Sequence, residues 1–300
     1  MYRIGIDIGG TKIHVGLFRV AAESTELIRC ERLPSGEGRD PVAEIATAVE
    51  RICRAEGIAL SSVRACGVGV PGTVSADGKT VLKCPNLRVA EGDFPDRLEK
   101  SLGIPVFAVQ DSRAAALGEY LSGAGKGANT LISFTLGTGI GTGILLDGRI
   151  YHGALRAAGE IGHVPTVPNG RICGCGKRGC LEKYAAGGGL DISARELLGA
   201  DASARTLFSA ARSGDLRAAA ILSDAVERLG TAIVGAVNLL SPDCVLFSGG
   251  LCEEDDYLLP LIEFIRAHAY SAGGLPTIRK AELGVLAPLY GAALFDPDRY

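Results

Sequence analysis

The sequence predicts an α/β fold in two domains, on three observations. Strand-like apolar runs alternate with helical stretches along the 300-residue chain, the order that builds a mixed or parallel sheet flanked by helices. Two strand–Gly/Thr–strand hairpins, at residues 2–18 and 130–146, share one pattern and read as two halves of a duplicated fold. The length is more than one core usually holds.

The first hairpin joins YRIGIDI (residues 2–8) to IHVGLF (residues 13–18) and presents Asp7, Gly9, Gly10, Thr11 and Lys12 at its tip. Its glycines permit φ > 0 and let backbone N–H groups approach an anion. Thr11 and Lys12 add a hydroxyl and a cation, and Asp7 can hold Mg²⁺ through water. Asp40-Pro41 opens a helix that Ala43 to Ala55 continue. Val63 to Val70 is a buried strand running into Pro71-Gly72. Val106 to Val109 is a strand ending at Gln110-Asp111, and an Ala-rich helix, Ser112 to Leu121, starts at once. Asp111 therefore stands where open α/β sheets bind ligands, with a helix dipole favouring its ionised form.

The second hairpin joins residues 130–136 to 140–146 through Gly137-Thr138-Gly139, and Asp147-Gly148 makes the next turn. Leu216 to Leu240 reads as a long core helix. A strand from Cys244 to Phe247 leads into Ser248-Gly249-Gly250, a backbone surface suited to a flat ring such as adenine. Asp256 to His268 reads as a helix interrupted early by Pro260, and Pro288 to Phe295 as a short helix.

Between the second hairpin and the long helix, His163, Cys173, Cys175 and Cys180 offer three thiolates and one imidazole, the closed tetrahedral set of structural Zn²⁺. Gly174, Gly176 and Gly179 let the loop fold back on itself. Glu160 and Glu182 frame this set without being needed to complete it, which suits a scaffold holding a polar ligand.

Composition excludes several classes. Net charge is −3, so no global field attracts nucleic acid or an anionic membrane. No apolar run is long enough to span a bilayer. Six further cysteines are scattered singly, which with a thiolate metal site indicates a reducing, cytoplasmic setting. Residues 3–8 already read as a strand, so no leader peptide is expected.

The motifs DIGGTK (Asp7–Lys12), GVGVPG (Gly67–Gly72), Pro85-Asn86-Leu87, LGTG (Leu136–Gly139), AGEIGH (Ala158–His163) and CGCGKRGCLE (Cys173–Glu182) occur in that order. In them the chain resembles the ROK family of repressors, open reading frames and sugar kinases. The resemblance implies a two-domain actin-like ATPase fold with RNase H-like cores. Residues 1–115, completed by 287–300, would form one domain, and 116–286 a larger one carrying the zinc loop. It implies transfer of the ATP γ-phosphate, with Mg²⁺, to a hexose hydroxyl, most often O6. By the same resemblance Asp111 matches the catalytic base, and Glu160, His163 and Glu182 match residues that bind sugar hydroxyls. Gly72, Asn86 and Gln110 match the sugar pocket. The turns at Gly9, Gly10, Thr11 and Lys12 and at Gly137, Thr138, Gly139 and Gly141 match the phosphate loops, and Gly249 and Gly250 the adenine loop. Homodimers or homotetramers are common in the family.

The sequence departs from the family at Gln110, where Asn is usual, at Arg113, again for Asn, at Leu155-Arg156-Ala157, and at Ser248, which replaces a glycine. These changes bear on which sugar is used. The leading expectation is a glucokinase-like enzyme acting on O6 of glucose. The others are a kinase for another hexose (N-acetylmannosamine, N-acetylglucosamine, fructose or allose) and a sugar-sensing regulator lacking its DNA-binding domain. A zinc-ribbon nucleic-acid module is disfavoured by the charge and by the absence of a second Cys pair at ribbon spacing.

Overall fold

A computed structural model describes residues 1–22, 24–35, 40–84 and 91–300. Its first sheet has the order β3-β2-β1-β4-β7, with β1 (Tyr2–Ile8), β2 (Lys12–Val20), β3 (Thr25–Pro34), β4 (Val63–Val70) and β7 (Val106–Gln110). β1, β2 and β3 form an antiparallel meander, and β4 and β7 add in parallel on the other side of β1. A small hairpin of β5 (Thr73–Val74) and β6 (Val81–Lys83) follows β4.

Strand alternation decides what each face packs against. Ile4, Ile6 and Ile8 point into a core shared with α1 (Val42–Ala55) and α2 (Phe94–Leu102). On the opposite face Gly5 pairs with Gly16 of β2 and Gly67 of β4, a row of three glycines across three strands. The last helix, α9 (Ala287–Leu294), lies along that row. A Cβ on Gly5 would stand 2.3 Å from the Leu289 carbonyl oxygen, and one on Gly67 1.8 Å from that of Ala292. α3 (Asp111–Ser122) meets α9 equally closely, at Gly118 and Gly291.

The second sheet repeats the first. Its order is β10-β9-β8-β11-β12, with β8 (Thr130–Leu136), β9 (Ile140–Leu146), β10 (Arg149–Ile150), β11 (Cys244–Ser248) and β12 (Thr277–Lys280). Three sequential strands lie side by side, and β11 and β12 extend the sheet in parallel from β8. The helices that follow the cysteine stretch are α4 (Glu182–Ala185), α5 (Gly187–Leu198), α6 (Ala204–Arg212), α7 (Leu216–Leu240) and α8 (Asp255–His268). Asp215 caps α7 by accepting from the N–H groups of Arg217 and Ala218. α8 runs through Pro260 without a break, so the expected interruption is absent.

The chain divides into two compact units, one of residues 1–128, 143–158 and 281–300, the other of 129–142 and 159–280. The boundary expected after residue 115 falls inside α3. All of α3 belongs to the first unit, because its small residues Ala114 and Gly118 are packed against α9. The C-terminal return likewise starts at 281 rather than 287. Among the described residues no helix is long and apolar enough to cross a membrane.

Candidate active site

In the first unit β1 and the β7–α3 junction bring two carboxylates toward one place, with β4 between them. Asp7 is in register with Gly69. A Cβ on Gly69 would lie 3.7 Å from Asp7 Oδ1 and 3.9 Å from the Asp111 Cα. The missing side chain leaves one small space that Asp7 and the start of α3 both border. Asp111 is the first residue of α3, and its Oδ1 accepts a 2.7 Å hydrogen bond from the Ser112 N–H. The residue before the helix is Gln110, in extended conformation at the end of β7. The hairpin tip is closed by Gly9 N–H donating to the Lys12 carbonyl at 2.9 Å. Thr11 is exposed, and a Cβ on Gly10 would meet nothing within 4 Å. Gly72 is required by close approach, since a Cβ there would be 2.1 Å from the Lys83 carbonyl oxygen. Asn86 lies outside the described residues.

In the second unit the ligand atoms of His163, Cys173, Cys175 and Cys180 all lie within 4.8 Å of one another. Cys175 Sγ is 3.6 Å from Cys180 Sγ, and Cys173 Sγ is 3.6 Å from His163 Nδ1. A tetrahedral zinc with bonds of about 2.0–2.3 Å sets its ligand atoms roughly 3.5–3.8 Å apart, so this donor set fits the ion. The loop closes because Gly176 and Gly179 take φ of +87° and +77°. Burial, together with the adjacent Glu182 carboxylate, pushes the Cys173 thiol up. A bound dication would reverse that by drawing the proton off.

His163 presents its two nitrogens to different neighbours. Nδ1 faces the cysteines, while Nε2 is 3.8 Å from Glu160 Oε2. Glu182 is two-sided as well. Its Oε1 accepts from Cys173 Sγ at 3.0 Å, and its Oε2 would be 3.0 Å from a Cβ on Gly139. The cysteine cluster and the second glycine turn therefore share one carboxylate. That turn is also braced from below, where Gly187 N–H donates to the Gly137 carbonyl and Gly188 N–H to that of Thr138. Gly141 lies on β9. None of Gly9, Gly10, Gly137 and Gly139 has positive φ. These turns use glycine for space, not for the left-handed conformation that the sequence reading allowed.

After β11, Gly249 has φ +96°, and a Cβ on it would be 2.4 Å from the Leu136 carbonyl oxygen, whereas Gly250 faces open space. Ser248 is a sheet residue, its hydroxyl 3.2 Å from Thr135 Oγ1. The departure from glycine there is absorbed by the core.

Sequence reasoning overlooked Arg171. Its guanidinium donates to the carbonyls of Lys183 and Gly189 and to Ser193 Oγ, and it lies 4.9 Å from the Tyr184 ring centroid. It anchors the start of the cysteine loop to α4 and α5. His152 was also overlooked. It joins two flagged departures, Arg113 and Arg156, in one cluster. Nothing local in the sequence signals either arrangement, since Arg171 reaches partners 12 to 22 residues on and the His152 cluster needs Arg113, 39 residues away.

The ROK family pattern matches residues 3–298. The chain belongs to the ROK family. Over 301 residues it is 32% identical to the N-acetylgalactosamine kinase of Shewanella sp. strain ANA-3, covering 97% of this chain and 95% of that one. The ROK hexokinase of Thermus thermophilus superposes with a TM-score of 0.86 at 33% identity, over 98% of this chain and 97% of that one. A ROK glucokinase of Streptomyces griseus, solved with glucose and AMPPNP, gives 0.77 at 30% identity over 98% of both. The actin-like ATPase fold expected from the sequence is the fold of this ROK chain.

Proposed function

We propose that this ROK sugar kinase transfers the γ-phosphoryl group of ATP to the O6 hydroxyl of a hexose, glucose first among them. The observation that carries the reading is the pair Asp7 and Asp111 about the side-chain-free Gly69, at the ends of the parallel strands β1 and β7 on either side of β4. In the proposed division of labour Asp111 accepts the hydroxyl proton. Its position at the N-terminus of α3 favours the carboxylate over the acid. Asp7 would hold Mg²⁺ through water, and the ion would supply charge neutralisation on the β- and γ-phosphates. The turns Gly9–Lys12 and Gly137–Gly139 would receive the phosphates on backbone N–H groups, and Gly249 and Gly250 the adenine.

Glu160, His163 and Glu182 would accept and donate hydrogen bonds to the sugar hydroxyls. Holding the hydroxyl in line supplies about 7–11 kcal/mol of the barrier in such reactions. His163 Nδ1, Cys173, Cys175 and Cys180 would hold a structural Zn²⁺, which when bound fixes the imidazole so that Nε2 stays directed toward Glu160. Gly72, Asn86 and Gln110 are assigned to the same sugar site on the family resemblance. A homodimer or homotetramer is expected, and sedimentation equilibrium decides it.

A second reading, a kinase for an N-acetylated hexose, is favoured by the similarity to the Shewanella enzyme and by the changes at Gln110, Arg113 and Arg156. A coupled ADP-release assay with glucose, mannose, galactose, fructose and the N-acetylhexosamines separates the two. ADP release that depends on no hexose in the panel would remove the kinase assignment. The position of the phosphate is read by ¹³C–³¹P coupling in the product.

A further inference from the structure

α3 does more than carry Asp111 at its first position. Two residues on, Arg113 is only 2% exposed, and its guanidinium turns toward the segment 152–158. Nη2 donates to the Arg156 carbonyl at 2.9 Å and to the Ala158 carbonyl at 3.1 Å, and Nη1 lies 3.2 Å from His152 Nδ1. The segment is a closed turn in its own right. Arg156 N–H donates to the Gly153 carbonyl, and Ala158 N–H to that of His152. Leu155 at its tip is 90% exposed.

The turn is pinned from two further sides. Arg156, at φ +56°, donates from Nε to the Val74 carbonyl at 2.9 Å, and its Nη2 is 3.4 Å from His152 Nδ1. His152 Nε2 is 3.3 Å from the Tyr300 main-chain oxygen. Burial, then the charges of Arg156 and Arg113, bring the His152 pKa down to about 4. The imidazole is therefore neutral at physiological pH. Nδ1 accepts from the guanidinium groups and Nε2–H donates to Tyr300, the tautomer these partners assign. The charged groups around it are Arg113 from α3 and Arg156 from the turn, with Asp77 beside Arg156.

Ala158 is followed by Gly159 and Glu160. Gly159, at φ +90°, has no room for a side chain, since a Cβ would be 2.7 Å from the Thr142 carbonyl oxygen. The chain from Arg156 to Glu160 thus has little freedom once Arg113 has fixed two of its carbonyls.

We propose that Arg113 is a positioning residue for sugar recognition. By holding the Arg156 and Ala158 carbonyls, it sets the backbone that leads into Glu160. The inference rests on the sugar-kinase reading and adds a residue to it. A planar guanidinium reaches His152 and both carbonyls at once, whereas an ammonium is a point donor and cannot span them.

Two variants test this. Arg113→Lys keeps the charge but loses the fork. Arg156→Gly removes the second guanidinium at a position whose φ glycine takes without strain, and it decides the matter if Arg113→Lys does not fold. The expected result for Arg113→Lys is a hexose KM raised about tenfold or more, with kcat and ATP KM within about threefold of wild type. Hydrogen exchange across residues 152–160 should rise, and bound zinc should be unchanged. Arg156→Gly should show the same pattern more weakly.

Unchanged hexose KM in both variants would overturn the proposal. So would a parallel fall in kcat and in both affinities that tracks a lowered Tm, which is what a merely structural arginine would give. If the wild-type protein phosphorylates no hexose, the kinase reading has failed. Hydrogen exchange in the same two variants still shows whether Arg113 holds the turn.

Discussion

The two strand–glycine–strand turns occupy equivalent places in two sheets of the same order, yet they are built differently. The first, Gly9–Lys12, is closed by its own Gly9–Lys12 hydrogen bond and held from outside at Thr11, whose carbonyl accepts from the Ser35 N–H at 3.2 Å, while Gly10 faces open space. The second, Gly137–Gly139, is set into its surroundings. Its carbonyls accept from Gly187 and Gly188, and Glu182 stands against Gly139. One sequence pattern therefore serves an open turn and a braced one. The brace comes from the segment that follows Cys180, so loss of order in the cysteine loop is expected to reach the second turn and not the first.

Metal removal tests this dependence most severely. Structural zinc contributes on the order of 10 kcal/mol or more to the peptides it folds. Stripping it here should abolish hexose binding by calorimetry and raise hydrogen exchange at 137–139 and 182–188, leaving 9–12 as it was. Equal protection of both turns without metal would erase the distinction.

Asp111→Asn acts on the side of the open turn. The amide oxygen can still accept from the Ser112 N–H at the start of α3 but takes no proton, so kcat should fall by about 10²–10⁴ with sugar affinity little changed. Near wild-type turnover would remove Asp111 from the role of base.

A matched pair of alanines sharpens the contrast. Gly10→Ala adds a methyl to empty space and should alter unfolding free energy by less than about 0.5 kcal/mol while raising the ATP KM. Gly139→Ala brings a methyl to 3.0 Å from Glu182 Oε2 and should cost about 1 kcal/mol or more in denaturant titration. Equal stability losses would show that the brace is absent in solution.

The smallest effect is expected at Gln110, whose extra methylene shifts its amide by about one bond length. If glucose is the best substrate, Gln110→Asn should change the ranking of hexoses in kcat/KM by less than about threefold. A larger change would show that the pocket is tuned through this residue.

Much of the architecture was legible because it rests on local signals. The two hairpins, the β7–α3 junction, the apolar length of α7 and the close spacing of the cysteines each lie within one short stretch of sequence. What escaped depends on partners far apart. Arg113 meets His152, Arg156 and Ala158 across 39 to 45 residues. Four departures from the family pattern, read one at a time, therefore give no hint that two of them share a histidine. Pro260 was read as an interruption, but a single missing N–H and one steric clash did not outweigh the packing of Tyr257, Leu258, Leu261 and Ile265 in α8. Gly10 and Gly139 show a similar limit, since sequence shows that a residue is glycine but not whether its φ or its emptiness is in use.

The glycine row across β2, β1 and β4 has a consequence for how the protein is made. Domains generally fold as units while the chain emerges from the N-terminus. The first sheet is complete by residue 110, but the helix that fills its glycine-lined face arrives only with residues 287–294. Throughout synthesis of the second unit, Phe18, Leu27 and the slot that receives Leu289 and Ala293 are left without their cover. The nascent chain thus carries an apolar vacancy from the completion of the first sheet until residues 287–294 have emerged to close it.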